Sequence, residues 1–230
     1  MKLMTFNTQH CKNFITKNID FDIMADAIKK CGADVIGLNE MRSKGEDPEY
    51  EDQAAILSRL TGIENYYFAK AIDVRGNNPY GNAILSKYKI EKAEVIPIPD
   101  PEIKIGRRFE SRCVLKVKLE NGYTILVSHF GLNDSERVNA VKTVLENLEE
   151  EKCILMGDFN MRPDNEILMP IKEKLVDTAD YLKENVLSFP SDEPYCKIDY
   201  IFTTSDVSVT EAEIPAIIAS DHRPITVNID

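Results

Sequence analysis

The sequence predicts an α/β protein built on mixed β-sheets, and two observations support this prediction. Short apolar runs of strand length alternate along the chain with segments whose apolar residues recur at helical spacing. Asn121-Gly122 separates two runs of alternating character, which is typical of the two-residue turn in an antiparallel hairpin. Such hairpins beside helix-connected strands favour mixed rather than purely parallel sheets. No repeat, low-complexity tract or Gly/Ser linker divides the chain, so we expect one domain over residues 1–230.

Two helices are predicted in the first third of the chain. Residues 20–31 carry apolar side chains at helical spacing, with Asp20 as a possible N-cap and Gly32 as a C-terminal stop. Residues 49–62 have an amphipathic pattern that ends at Gly62. The strand-like segments around them are residues 2–8, 33–40 and 64–94, the last with a turn at 75–82.

A hairpin, two helices and several short strands are predicted in the second half. The hairpin covers residues 111–130, and a long helix over residues 133–150 follows it. The candidate caps of this helix are Asn133, Asp134 and Ser135, and its apolar stripe consists of Val138, Val141, Leu145 and Leu148. A second helix over residues 164–175 is expected to be interrupted near Pro170. The remaining strand-like segments are residues 152–160, 197–204, 207–214 and 223–229.

The net charge of −11 bears on the class of substrate. Tight non-specific DNA binding relies on many Lys and Arg contacts to phosphates, so we do not expect it of so acidic a chain. The segments SKYKIEK and KIGRRFESR are local basic exceptions. A small phosphorylated substrate is compatible with the overall charge, because a bound metal ion supplies positive charge locally.

Composition also bears on location. No apolar run approaches the ~20 residues of a membrane span, and the N-terminal apolar run is too short for a secretory signal. The five cysteines are scattered, form no CxxC pair, and in several cases lie in strand-like contexts. Reduced, buried thiols in a cytoplasmic protein are therefore expected. The sequence predicts no particular oligomeric state.

Polar residues that suit metal-dependent chemistry occur where apolar runs begin or end. An apolar strand has no structural use for a carboxylate, imidazole or amide at its end, and adjacent strands of one sheet would bring such groups together. These groups, with no reactive Ser or Cys beside them, suit a hard divalent ion and a water nucleophile. The combination is typical of phosphoester hydrolysis. The residues are Asn7, Glu40, His129, Asp158, Asn160, Asp199, Asp221 and His222.

Each of these residues also has a purely structural interpretation. Glu40 taken alone would be a solvated side chain at a strand end, and His129 a structural imidazole. Asp158 and Asn160 are two positions apart and therefore face the same side of an extended segment, but the pair also suits an Asx turn. The segment SDHRP is compatible with a simple turn.

Asp199 is the residue whose position most needs a partner. It lies within an apolar strand, where an unpaired carboxylate is costly. A positively charged histidine is the simplest partner, and His222 is the available candidate. The eight residues occupy six strand ends, and separate structural explanations for all six are less economical than one shared site.

The order of these motifs resembles the endonuclease/exonuclease/phosphatase superfamily, which includes deoxyribonuclease I, exonuclease III-type repair nucleases, sphingomyelinases and inositol-polyphosphate 5-phosphatases. The resemblance implies a four-layer α/β sandwich, in which two mixed β-sheets pack face to face and helices flank them. It also implies a metal-dependent phosphoric ester hydrolase. The matching segments cover essentially the whole chain and are MTFNTQ, DVIGLNE, YGNAILSK, VSHFGLN, ILMGDFN, KIDYIF and SDHRPI.

The resemblance implies a metal site. Glu40 would be the principal Mg²⁺ ligand, with Mn²⁺ as a possible substitute. Asn7 would lie near the metal and the phosphate, and Asp221 would be a second metal ligand. The ion would neutralise charge at the phosphoryl oxygens, so no covalent intermediate is needed.

The resemblance also implies catalytic roles. Asp158 would orient and activate the attacking water, while Asn160 would hold a phosphoryl oxygen. Asp199 would fix His222, which would contact the scissile phosphate or assist proton transfer. His129 would stabilise or protonate the leaving group.

Two departures from the repair nucleases bear on the substrate. Those enzymes carry an acidic residue where this chain has Gln9, and more often a Tyr where it has His129. Both differences favour the deoxyribonuclease I and sphingomyelinase branches. Three hypotheses follow: a phosphodiesterase or phosphomonoesterase acting on a small or lipid-derived phosphoester, a DNA or RNA nuclease, and a non-catalytic binding module. The last is the weakest, because every expected catalytic position is occupied.

Overall fold

The computed structural model describes residues 1–106, 108–183 and 186–230. Its helices are α1 (Phe21–Cys31), α2 (Gln53–Thr61), α3 (Asp134–Asn147) and α4 (Met169–Lys172), with 3₁₀ helices at Glu166–Leu168 and Thr178–Tyr181. Its strands are β1 (Lys2–Asn7), β2 (Val35–Arg42), β3 (Asn65–Asp73), β4 (Pro79–Ser86), β5 (Ile90–Ile98), β6 (Arg112–Leu119), β7 (Thr124–Ser128), β8 (Cys153–Asp158), β9 (Val176–Asp177), β10 (Asp199–Thr203), β11 (Val209–Glu213) and β12 (Ile225–Ile229).

Within the described residues the strands form two six-stranded sheets, and both sheets are mixed. The first has the strand order β11-β12-β1-β2-β4-β3, and the second has the order β5-β6-β7-β8-β10-β9. β1 and β2 run parallel, as do β7 and β8. The other paired strands are antiparallel, which confirms the mixed character expected from the hairpin.

Three buried apolar clusters hold the layers together. The first cluster lies between the two sheets and includes Val35 from the first sheet and Val127 from the second. The second joins the outer face of the first sheet to α1 and α2, for example through Met24 and Leu57. The third joins the second sheet to α3 and α4, for example through Val144. The layer order is helix, sheet, sheet, helix, and the predicted four-layer sandwich is confirmed.

The two parallel pairs bring strand ends to one edge of the sandwich. Asn7 is the last residue of β1, and Glu40 lies near the end of the parallel neighbour β2. In the second sheet Asp158 is the last residue of β8, and His129 directly follows the parallel neighbour β7. Parallel strands end at the same edge of a sheet, so each sheet presents two polar side chains there.

Two antiparallel pairs add residues that begin strands. β10 runs antiparallel to β8, and its first residue, Asp199, is directly paired with Asp158. β12 runs antiparallel to β1, so the loop before it, which carries Asp221 and His222, lies beside the end of β1. Strand direction alone therefore explains why residues far apart in sequence share one edge.

The first two helices begin and end as their capping residues dictate. Asp20 caps α1 with its side chain, and Gly32 ends it in the left-handed conformation, as predicted. The predicted start of the second helix, in the segment 49–62, was wrong. Asp52 accepts a hydrogen bond from the backbone N–H of Ala55 and so fixes the start of α2 at the next residue.

The buried face of α3 differs from the predicted stripe. Val138 is 52% exposed, whereas Ala140, Val141 and Val144 are buried against the second sheet. The spacing of these three residues defines a stripe that leaves Val138 on its border. Asn133 is the N-cap and forms a capping box with Glu136.

The region after β8 contains less helix than its sequence suggested. Residues 164–175 form a 3₁₀ helix followed by the single-turn α4, and Pro170 lies in the first turn of α4 rather than in a helix interior. A proline is tolerated there because the first N–H groups of a helix have no partner within the helix. The turn predicted at 75–82 was placed too late, since β4 already begins at Pro79.

Gly157 allows the two parallel strands of the second sheet to meet beside the polar edge. Its φ is +147°, and a Cβ built on it would lie 1.8 Å from the carbonyl oxygen of Ser128. The side-chain oxygen of Asn39, from the first sheet, would be 3.2 Å away. Any side chain at this position therefore pushes against the backbone that carries His129 and Asp158.

We expect Gly157→Ala to lower the free energy of unfolding by about 2–4 kcal/mol, because it adds a backbone clash to an unfavourable φ. Gly32→Ala is the matched control, since Gly32 also has a positive φ but has nothing within 4 Å of the added Cβ. Urea denaturation of both variants measures the difference. Equal losses in the two variants would contradict the proposed close contact.

Candidate active site

The eight polar residues predicted from the sequence gather at one edge of the sandwich, around a cavity of about 610 Å³. Asn7 and Asp199 lie behind the cavity wall, where they contact other members of the group. The predicted residues that line the cavity directly are Glu40, His129, Asp158, Asn160, Asp221 and His222. The strand ends thus meet, as the sequence predicted.

Asn7 links the two sheets at the centre of the group. Its Nδ2 donates to Oε1 of Glu40 at 3.2 Å and to Oδ2 of Asp158 at 3.0 Å. Its Oδ1 accepts the backbone N–H of Gln9 at 3.0 Å. The amide of Asn7 therefore holds together two carboxylates, one from each sheet.

Glu40 reaches the cavity because β2 is irregular at that point. Its φ is +59°, and the pairing of β2 with β4 shifts between Leu38 and Met41, as in a β-bulge. Burial raises the pKa of Glu40, but the surroundings outweigh it and lower the pKa, chiefly through His129, Asn7 and then His222 and Arg112. Glu40 is therefore ionised at neutral pH.

Tyr80 supports the ionised state of Glu40. Burial and the negative charge of Glu40 raise the pKa of Tyr80 well above its usual value, so the hydroxyl keeps its proton. A protonated hydroxyl can donate a hydrogen bond to the carboxylate.

Asp158 is the most heavily contacted carboxylate of the site. Its Oδ1 accepts the backbone N–H of Asn160 at 2.9 Å, so the Asx turn exists and coexists with the site. Its Oδ2 lies 3.4 Å from Nε2 of His129 and 3.6 Å from Nε2 of His222. Burial raises the pKa of Asp158, but the charge of His222 and the hydrogen bonds of His129 and Asn160 outweigh it and hold the pKa well below its usual range.

His222 and Asp199 form the buried pair that the sequence suggested. Nδ1 of His222 is 2.9 Å from Oδ2 of Asp199, and the hydroxyl of Ser188 donates to the same oxygen at 2.6 Å. Burial lowers the pKa of His222, but the carboxylates of Asp199 and Asp158 outweigh it and raise the pKa to about 10. His222 is therefore an imidazolium whose two N–H groups face two carboxylates.

Asn160 connects the end of β8 to the segment after β7. It has a φ of +54°, and its Nδ2 donates to the carbonyl oxygen of Phe130 at 3.0 Å. The same nitrogen lies 3.0 Å from Nε2 of His129. The side chain thus contacts His129 at the cavity wall, while the backbone N–H of the same residue contacts Asp158.

Asp221 and Glu40 are the groups best suited to hold a cation. Oδ2 of Asp221 accepts a hydrogen bond from Nε2 of Gln9 at 2.8 Å. Burial raises the pKa of Asp221, and the charge of Glu40 raises it further although His222 opposes this. These two carboxylates repel each other at the cavity wall, and the Asn7 amide lies beside them. Their hard oxygen atoms fit the ligand preference of Mg²⁺.

A second grouping is less suited to a metal. Asp158, Asp199 and His222 offer atoms that lie within 4.8 Å of one another. However, the shortest contact among them is the hydrogen bond between Nδ1 of His222 and Asp199, which requires a proton on that nitrogen. A metal there would have to displace this proton from a strongly basic imidazole, so these residues are better described as a hydrogen-bonded chain.

Several residues of the site were not identified from the sequence. Arg108 and Arg112 line the cavity and come from the basic segment KIGRRFESR, which was the available signal; Arg107 of that segment lies outside the described residues. Asn39 precedes Glu40 and is fully buried. The other cavity-lining residues missed include His10, Arg42, Tyr50 and Tyr80.

The chain matches the model of the endonuclease/exonuclease/phosphatase family over residues 4–222. It belongs to this family. No curated protein matches the sequence of this chain.

Solved structures of the family share its fold. An endonuclease/exonuclease/phosphatase from Beutenbergia cavernae has a TM-score of 0.82 and 19% identity, over 100% of this chain and 71% of the other. A family protein from Leptotrichia buccalis has a TM-score of 0.78 and 22% identity, over 100% and 99%. A mannosyl-6-phosphatase from Bacteroides thetaiotaomicron has a TM-score of 0.79 and 15% identity, over 100% and 99%.

Among the described residues, no helix is long and apolar enough to cross a membrane.

We expect Asp199→Asn to lower the pKa of His222 from its value of about 10, because the largest favourable charge is removed. That pKa lies above the usual 6.5, so the pair stabilises the fold fully below pH 6.5, and this contribution is lost as the pH rises toward 10. The variant should therefore lose the alkaline decline in stability, and its catalytic rate should fall at least about tenfold.

The measurements are an NMR titration of His222 and denaturation at several pH values, both in a chelator so that no bound ion alters the charges. Asp26→Asn on α1 is the control, since that side chain is exposed. A titration of His222 that is unchanged in Asp199→Asn would contradict this account of the pair.

Proposed function

We propose that the protein hydrolyses a small phosphoester with the help of a divalent metal ion, Mg²⁺ in the first place and Mn²⁺ as a substitute. The observation that carries this proposal is the contact of Asn7 with both Glu40 and Asp158, which joins a candidate metal ligand to a candidate base across the two sheets. Family membership supports a phosphoesterase of this general kind.

Glu40 and Asp221 would hold the ion, with Asn7 beside them. The ion would supply a positive charge that polarises the phosphoryl group and stabilises charge that develops on it. No donor other than oxygen is needed from these three side chains, which agrees with the choice of a hard cation.

Asp158 would orient and activate the attacking water. It remains ionised at neutral pH, and Asn7, His129 and His222 fix its orientation. His222 would contact a phosphoryl oxygen as an imidazolium, because Asp199 keeps both of its nitrogens protonated. Preorganised charge of this type lowers the barrier without a covalent intermediate.

Asn160 and His129 would complete the site on the other side of Asp158. Asn160 would hold a phosphoryl oxygen through its amide, which lies on the cavity wall. His129 would act on the leaving-group oxygen. All of these groups lie at one cavity, and none of them is proposed to form a covalent intermediate.

The size and lining of the cavity favour a small substrate. Its volume of about 610 Å³ is in the range of small-molecule sites. The described part of its wall carries Arg42, Arg108 and Arg112 but also acidic side chains, including Glu110. A wall of mixed charge on a chain of net charge −11 suits one phosphorylated molecule better than a long polyanion.

The experiment is a panel of phosphoesters assayed with EDTA, Mg²⁺ or Mn²⁺. It comprises an aryl phosphomonoester, an aryl phosphodiester, sugar 6-phosphates, sphingomyelin, and single- and double-stranded oligonucleotides. We expect metal-dependent hydrolysis of a small ester and none in Asp158→Asn. Turnover of oligonucleotides alone, together with sub-micromolar and steeply salt-dependent duplex binding, would establish the nuclease alternative instead. Binding of a phosphoester without turnover in any metal would support the non-catalytic module.

Glu40→Gln tests the metal site directly. We expect the variant to bind Mg²⁺ at least about tenfold more weakly and to lose hydrolysis while it stays folded, because Glu40 sits at the cavity wall and not in an apolar cluster. Calorimetry measures the Mg²⁺ affinity, and Glu64→Gln, at an exposed position, is the control. Unchanged Mg²⁺ affinity in Glu40→Gln would remove this residue from the metal site.

A further inference from the structure

Arg112 contacts the imidazole of His129 at the cavity wall. Nη1 of Arg112 lies 2.9 Å from Nδ1 of His129. The contact arises from the hairpin, because Arg112 begins β6 and His129 follows β7, the strand paired with it. Nη2 of Arg112 donates to Oε2 of Glu110 at 3.0 Å, which holds the guanidinium in place. Only 11% of the Arg112 side chain is exposed.

The chemistry of a guanidinium restricts the proton on His129. All nitrogens of the guanidinium donate, the group has no acceptor, and it does not lose its proton in proteins. A hydrogen bond from Arg112 therefore requires a lone pair on Nδ1 of His129. An imidazole with a lone pair on Nδ1 is neutral and carries its proton on Nε2, whereas an imidazolium has no lone pair to offer.

A competing contact exists on the other nitrogen. Nδ2 of Asn160 is 3.0 Å from Nε2 of His129 and, as a donor, would favour a lone pair there. Asn160 has another acceptor, however, since the same nitrogen donates to the carbonyl oxygen of Phe130 at 3.0 Å. An Nε2–H of His129 also has an acceptor, because Oδ2 of Asp158 lies 3.4 Å away. Arg112 can only donate to Nδ1 of His129, so this contact requires the lone pair to be on Nδ1 and the proton to be on Nε2.

We propose that Arg112 is a positioning residue, which holds His129 as a neutral imidazole with its proton on Nε2. This inference rests on the proposed function and refines it. His129 acts as a hydrogen-bond donor to Asp158 in the free enzyme and to a substrate oxygen in the complex. It does not supply a proton to the leaving group, because loss of the Nε2 proton from a neutral imidazole would leave an imidazolate anion, which does not form at neutral pH.

Two of the three histidines that line the cavity, His129 and His222, are thus set to different states by their partners. His222 has a carboxylate at Nδ1 and is an imidazolium, while His129 has a guanidinium at Nδ1 and is neutral. A carboxylate accepts from the ring and a guanidinium donates to it, so the two environments are opposite in sign. Of the two alternatives expected for His129, stabilising or protonating the leaving group, this arrangement selects stabilisation.

The test is ¹⁵N NMR of the histidine side chains in the intact protein, free of substrate. Correlations between ring nitrogens and carbons distinguish the two neutral tautomers from the imidazolium. The chain has three histidines, and the signals of His129 are those absent from His129→Gln. We expect His129 to show only the Nε2–H tautomer. An Nδ1–H tautomer, or an imidazolium at neutral pH, would overturn the proposal.

Two variants establish whether Arg112 is the cause. Arg112→Gln replaces an obligate donor by an amide that can also accept, so a population of the Nδ1–H tautomer should appear. Arg112→Lys keeps a cation that only donates, and it should retain mainly the Nε2–H form. Arg59→Gln, at an exposed position on α2, is the control and should leave the spectrum of His129 unchanged. A single Nε2–H tautomer in a folded Arg112→Gln protein would show that Arg112 is not the determinant.

Kinetics provide the functional readout. We expect Arg112→Gln to lower kcat by about 10- to 100-fold, with partial recovery in Arg112→Lys. The tautomer is measured without turnover, so the two proposals can fail separately. A protein that hydrolyses no phosphoester but shows the Nε2–H tautomer contradicts the proposed function alone. An active enzyme with the other tautomer contradicts the role of Arg112 alone.

Discussion

The side-chain amide of Asn39 is the interaction on which the site depends most. Asn39 belongs to the first sheet and is fully buried, and its Oδ1 accepts the backbone N–H of Asp158 in the second sheet at 2.9 Å. Its Nδ2 donates to the carbonyl oxygen of Ser128 at 3.1 Å and to Oδ1 of Asn82 at 2.8 Å. One amide therefore fixes the ends of β7 and β8 against β2. An unpaired amide would be costly at this depth, so the spacing of the two sheets is specified where the chemistry needs it.

The electrostatic design of the site follows from this fixed spacing. Asp158 is surrounded by donors, namely Asn7, His129 and His222, which keep it ionised although it is buried. Asp221, in contrast, is raised in pKa by burial and by Glu40, and this unbalanced negative charge is what a cation would neutralise. One cavity thus combines a well-compensated carboxylate, Asp158, with a less compensated one, Asp221. In the proposed function the former would serve a water and the latter a metal ion.

Much of this arrangement was predictable, and what was missed has physical causes. The identity of the polar residues followed from their places at the ends of apolar runs, and strand direction then brought them together. The left-handed conformation of Glu40 was not predictable, because a bulge depends on how β2 pairs with β4. The contact of Arg112 with His129 depends on the register of a hairpin, which sequence alone does not give. Val138 was misassigned because a helix with a mixed pattern can present more than one apolar stripe, and the sheet beneath it decides which is buried.

The order of strands in the two sheets has a consequence for how the protein acquires its site during synthesis. β5 to β10 are contiguous in sequence and build the whole second sheet, whereas the first sheet combines β1 to β4 with β11 and β12. Until β12 has left the ribosome, one edge of β1 has no partner, and the loop with Asp221 and His222 is not yet anchored beside it. The second sheet can form earlier, as a nascent chain folds from its N-terminus. The loop with Asp221 and His222 can therefore take its place beside β1 only after β12 has paired with that strand, so the polar edge is completed later than the second sheet.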